Sequence, residues 1–98
     1  MLQPMMRLDV YLRNCGLIKQ RSQAKRACEA GDIRVDGQAV SASHSVRPGV
    51  RICMELYDLT MEVEVLALPQ RPPPRRERAH YYRLIRRQTR DPDADLEF

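Results

Sequence analysis

Lys19, Arg21, Lys25 and Arg26 crowd the start of a segment with helical patterning, and Arg34 follows on what reads as the next strand. Arg21 and Lys25 stand four apart and so share one helix face. An arginine can grip a phosphate through two parallel hydrogen bonds, and a helix start offers free N–H groups beside it. Together these groups make a competent phosphate-binding surface. A merely solvated helix face has the same composition, and spacing alone leaves both readings open. Other chemistry finds less support. His44 and His80 lie far apart with no acid or nucleophile arranged around either, so no catalytic role is expected for them. Ser41, Ser43 and Ser45 read as loop polarity. Asp9 reads as a first-turn helix acid, or as the partner of a nearby basic side chain, rather than as a catalytic base. Cys15, Cys28 and Cys53 are odd in number, widely spaced and free of any CxxC pairing or His partner. They point to neither a disulfide framework nor a zinc site, and reduced, small apolar residues are expected, with no cofactor or metal.

The charge is unevenly spread. Residues 7–34 hold seven Lys/Arg against three acids, residues 35–69 two against five, residues 70–90 eight against one, and residues 91–98 four acids alone. Two basic blocks around an acidic middle, under a net charge of +4, form the footprint of a polyanion binder. Ninety-eight residues suit one small domain and leave no room for a second, catalytic one. No run approaches the roughly 18 consecutive apolar residues of a membrane span, and no secretory-type stretch opens the chain. A cytoplasmic protein with no membrane partner is expected. Residues 1–5 carry no charge or pattern and are set aside, since Met6 would serve equally well as a start.

The elements that must position the basic residues follow from periodicity. Leu8, Tyr11, Leu12 and Cys15 fall at i, i+3, i+4 and i+7, one buried face of a helix ending near Gly16. Ala24, Ala27 and Cys28 face inward on a second helix stopped at Gly31 and capped by Gln20 or Ser22, of which only Ser22 is a good cap type. Asp36-Gly37 between Ile33-Arg34-Val35 and Gln38-Ala39-Val40 marks a tight hairpin. After Pro48-Gly49, Val50, Ile52, Met54 and Leu56 alternate with polar residues, as do Met61, Val63, Val65 and Ala67 after Asp58: two strands with one wet face each. Three consecutive prolines, Pro72 to Pro74, within residues 69–74 suggest an extended spacer. Residues 75–90 return to helix formers, with Ala79, Tyr82 and Ile85 or Leu84 as a narrow stripe among Arg75, Arg76, Arg78, Arg83, Arg86 and Arg87. A basic C-terminal helix is expected, too thin in apolar surface to fold firmly alone. The acidic residues 91–98 read as a disordered tail.

Arg7-Leu8-Asp9, Leu12, the run from Leu17 to Lys25, Gly31 to Gly37 and Val46-Arg47-Pro48-Gly49 together resemble the S4 RNA-binding domain over about half the chain. The resemblance implies an α+β fold, an S4-like domain with two packed helices against a small, mostly antiparallel sheet. It also implies RNA contact by Arg7, Lys19, Gln20, Arg21, Ser22, Lys25, Arg26 and Arg34. The family often has Ser or Thr where Gln20 stands, Asn at Asp36 and Asp at Val50; these departures touch the Gln20 contact more than the fold. The S4 domain with its following strand pair is placed at residues 7–68, ahead of the spacer and basic segment.

A free-standing S4 domain followed by Tyr81-Tyr82-Arg83-Leu84-Ile85 is similar to the ribosome-associated heat-shock proteins of the family, and closer to the bacterial RqcP type. That implies a non-enzymatic protein on the rRNA of the large ribosomal subunit, acting when a stalled ribosome has split and the nascent peptide is extended with a C-terminal tail. The implied partners are rRNA, then tRNA and a tail-elongating factor, with Arg75, Arg76, Arg78, Arg83, Arg86 and Arg87 as a second RNA-binding set and the protein as a monomer. Two other readings stay open: a generic S4 RNA-binding module without ribosome specificity, and a minimal RNA-modification factor.

Overall fold

The computed structural model of the chain describes residues 4–89. Helix α1 spans Leu8–Asn14 and α2 spans Arg21–Glu29. Leu8, Tyr11, Leu12 and Cys15 are fully buried, as their spacing predicts, and α2 contributes Ala24 and Cys28 to the same core. The N-cap residue Arg7 makes no side-chain bond to the first N–H groups of α1. They are taken by a loop instead: Leu8 donates to the His44 carbonyl at 2.8 Å and Asp9 to the Ala42 carbonyl at 3.0 Å. That loop is held by a two-residue ladder of β1 (Met6–Arg7) with β4 (Ser45–Val46), a pairing the sequence pattern does not announce.

The main sheet is antiparallel throughout, in the order β3-β2-β5-β6-β7. Strands β2 (Ile33–Val35) and β3 (Gln38–Ala39) close on Asp36 and Gly37, whose φ angles of 50° and 87° are those the Asp-Gly turn requires. β5 (Arg51–Leu56) and β6 (Leu59–Val65) form the next hairpin, with Leu56 opposite Leu59. Ile52, Met54, Val63 and Val65 point into the core under α1, where Ile33 and Val46 complete it.

The expected basic C-terminal helix is not formed. Residues Arg75–His80 make a short 3-10 helix, and Tyr82–Thr89 make strand β7, antiparallel to β6. The cause lies outside the segment. Without β7 the outer edge of β6 would present a row of unpaired backbone groups, and its Glu62 and Glu64 stand opposite Arg86 and Arg83 across the ladder. An apolar stripe too narrow for a helix serves well enough for an edge strand. Residues 69–74 form no helix or strand, and the chain is tied down at Pro69 and again at Tyr81. Asn14 donates its side-chain amide to the buried Pro69 carbonyl at 2.9 Å. The Tyr81 carbonyl accepts from the Tyr11 hydroxyl at 2.7 Å and from the N–H groups of Leu66 and Ala67 at 2.9 and 3.2 Å. Gly16, with φ of 74°, ends α1 under the Arg78 guanidinium, so close that a Cβ there would stand 2.5 Å from its central carbon. Arg90 and the expected tail over residues 91–98 lie outside the described residues.

Candidate nucleic-acid interface

Arg7 immediately precedes α1, and Arg21 begins α2. Both turn toward Asp9, whose side chain is only 5% exposed while the two guanidiniums keep about half of their surface open. Arg7 binds both carboxylate oxygens, Nε to Oδ1 at 3.1 Å and Nη2 to Oδ2 at 3.0 Å, and Arg21 adds Nη2 to Oδ2 at 3.2 Å. The Val10 N–H donates to Oδ1 at 2.8 Å. Burial works against the charge on Asp9, but the hydrogen bonds from Arg7 and Arg21 outweigh it and hold the carboxyl below its ordinary range. Asp9 is thus the partner of basic side chains, one of the two roles its sequence position allows. It fixes two arginines while leaving each with N–H donors to spare, since a guanidinium carries five.

Lys19, Gln20, Ser22, Lys25 and Arg26 are all exposed around the same helix start. Gln20, rather than Ser22, is the N-cap of α2; its backbone is extended and its side chain makes no capping bond. Lys25 shares with Arg7, Asp9, Ser41 and Ser43 a cleft of about 490 Å³ between α2 and the loop ahead of β4. The two serines, read from sequence as loop polarity, form its rim, and no local signal marks them for that place. Arg34 is separate. Its neighbours Ile33 and Val35 are buried, so pleating sends its side chain out on the sheet face away from the helices, in register with Cys53.

The second arginine set is also divided. Arg75, Arg76 and Arg78 lie on the 3-10 helix; Arg83 binds Glu64 through Nε at 3.1 Å and through Nη2; Arg86 stands opposite Glu62, and Arg87 opposite Met61. Cys15 and Cys28 are buried thiols, and Cys53 is half-buried. Burial raises Cys15 to about 11 against a smaller opposing pull from Tyr11 and Arg78, and burial with Asp9 and Glu29 nearby raises Cys28. Both stay protonated and act as small apolar groups. Among the described residues no cluster of three or more His, Cys, Asp or Glu could hold a metal ion, and no helix is long and apolar enough to cross a membrane.

The S4 domain model matches residues 6–52, the stretch that carries Arg7, Asp9, both helices and β2. The RQC P-site tRNA stabilizing factor of Halalkalibacterium halodurans is 37% identical over 60 residues, covering 61% of this chain and 68% of that protein. The Bacillus subtilis protein of the same name is 35% identical over 60 residues, covering 61% and 70%. That of Helicobacter pylori is 31% identical over 64 residues, covering 65% and 76%. In structure the chain is similar to Heat Shock Protein 15 of Vibrio cholerae, with a TM-score of 0.75 and 26% identity over 83% of this chain and 82% of that one. That protein is described as trimeric, which counts against the monomer expected from sequence. The chain belongs to the S4-domain family of RQC P-site tRNA stabilizing factors, and is an RNA-binding protein.

Proposed function

We propose that this protein holds rRNA of the large ribosomal subunit together with peptidyl-tRNA in the P site, in the rescue of stalled translation by C-terminal tailing of the nascent chain. The observation that carries the reading is the Arg7–Asp9–Arg21 arrangement. A buried carboxylate presets two guanidiniums at the head of two helices, and Lys19, Gln20, Ser22, Lys25 and Arg26 widen the surface around them. Such a surface reads phosphates and the shape of folded RNA. The relatives' name, a tRNA-stabilizing factor of the P site, supports the ribosomal setting, and a tail-elongating partner is part of the same proposal. Self-association belongs to the same reading, on the trimeric description of the Vibrio cholerae protein.

Sedimentation of the tagged protein through a sucrose gradient of cell lysate, followed by sequencing of crosslinked RNA, tests it. Enrichment on free large subunits with crosslinks to their rRNA and to tRNA is expected. A small-subunit or messenger profile would replace it with a generic S4 module.

A further inference from the structure

The C-terminal arginines do not act as one block. Unbroken pleating would put Tyr82, Leu84 and Arg86 on one face of β7 and Arg83, Ile85 and Arg87 on the other. The register shift at Glu62/Val63 leaves Ile85 unpaired and changes the phase there: Leu84 stands opposite Val63 and Arg87 opposite Met61, while Arg86 meets Glu62 and Arg83 meets Glu64. Two arginines are thereby matched to acids on the outer face. Arg87 instead joins Met61, Tyr82 and Leu84 on the face turned toward the 3-10 helix.

With Arg75 and Arg78 of that helix, these four residues line an open recess of about 460 Å³, within the range of ligand-sized clefts. No acid lines it. Leu84 keeps 48% of its surface exposed on what is otherwise the core side of the sheet. Nε of Arg78 is shut off from solvent and has no hydrogen-bond partner among the described residues. An aromatic ring, an apolar floor and three guanidiniums in one recess suit a base stacked on the ring with its phosphate held at the rim. A duplex keeps its bases inside and could use only the arginines.

We propose that this recess is a second RNA subsite, one that takes an unpaired nucleotide from a loop or single-stranded segment. The proposal rests on the RNA-binding reading above and adds a distinct ligand class to it. An acidic peptide, including this chain's own residues 91–98, would match the charge, but the exposed floor favours a base.

The test follows the methyl resonances of Met61 and Leu84 in the full-length protein during titration with a hexauridine, and separately with a closed RNA hairpin. Both methyls are expected to shift with the hexamer. Leu84→Glu and Arg87→Gln are expected each to weaken hexamer binding at least fivefold with the melting temperature unchanged, and Arg83→Gln to leave it within twofold. Unmoved methyls would overturn the subsite, as would an equal loss in Arg83→Gln, or displacement of the hexamer by a synthetic peptide of residues 91–98. Hairpin binding that depends on Arg21 while the methyls stay still would overturn the recess alone; no binding of either RNA would overturn the RNA-binding reading with it.

Discussion

Replacing Asp9 by Asn separates positioning from charge in the proposed interface. The substitution keeps the shape and one acceptor oxygen but removes the negative charge that three guanidinium hydrogen bonds and the Val10 N–H converge on. Hydrogen bonds to a charged group contribute about 1.5 to 3 kcal/mol each when well buried. Both arginines are half exposed here, so solvent screening cuts the sum, and a net loss of about 1 to 2 kcal/mol is the working figure. For a domain of this size that lowers the melting temperature by roughly 4 to 15 °C. The sign of the pH dependence follows from the depressed Asp9 carboxyl. Its stabilisation is full above the unfolded-state value near 4 and fades as pH falls through the lower folded value, so the gap between parent and variant should close in acid. RNA affinity gives the sharper test. The variant is one unit more positive than the parent's +4, and a charge-only account makes it bind RNA more tightly. Preset guanidiniums make it bind about five- to tenfold more weakly. Thermal melts at pH 7 and pH 3 and an RNA titration at fixed salt check all three, and tighter binding with an unchanged melt would falsify the positioning role.

Arg21→Ala is expected to weaken RNA binding by about 1 to 3 kcal/mol with the fold intact. Arg34→Ala, on the opposite face of the sheet, should cost less than half as much in the same titration. With Arg34 off the surface, four or five of Arg7, Lys19, Arg21, Lys25 and Arg26 remain to neutralise phosphates. A fourfold rise in salt should then lower affinity by about 150- to 500-fold, and a nearly flat response would remove phosphate contact as the basis of binding. Tyr11→Phe removes the hydroxyl that bonds the Tyr81 carbonyl and lies against Cys15, and should cost about 1 kcal/mol by denaturant titration, leaving RNA affinity unchanged. Deleting residues 70–98 strips β6 of its outer partner, β7, and should lower the melting temperature sharply; a stable truncated domain with weaker ribosomal binding would instead make the segment a detachable second arm.

Both helices and the β2–β3 hairpin were legible because their signals are local. Leu8, Tyr11, Leu12 and Cys15 mark a face by spacing alone, and Asp36-Gly37 names its own turn. Residues 75–89 misled for two physical reasons. Ala79, Tyr82 and Ile85 mimic a helical stripe, and the bulge at Ile85 breaks the alternation that would have betrayed a strand. The deciding facts, an open β6 edge and acids at Glu62 and Glu64, lie some twenty residues upstream. At the interface, the residue types around α2 could be read directly. The burial of Asp9 and the departure of Arg34 to the other face could not, because both depend on which strand and loop pack where.

The Tyr81 carbonyl ties the first helix to a point 70 residues further along the chain. Closing a loop of that length is entropically costly and must precede the contacts that reward it, so the structure should form late and as a unit. During synthesis residues 6–52, the S4-matched stretch, are made before the last strand, Tyr82–Thr89, exists. A product broken off short of residue 81 lacks the acceptor for Tyr11 and the strand beside Val63 and Val65, and exposes them to whatever surveys unfinished chains. A protein read as serving interrupted translation thus marks its own interrupted copies as incomplete.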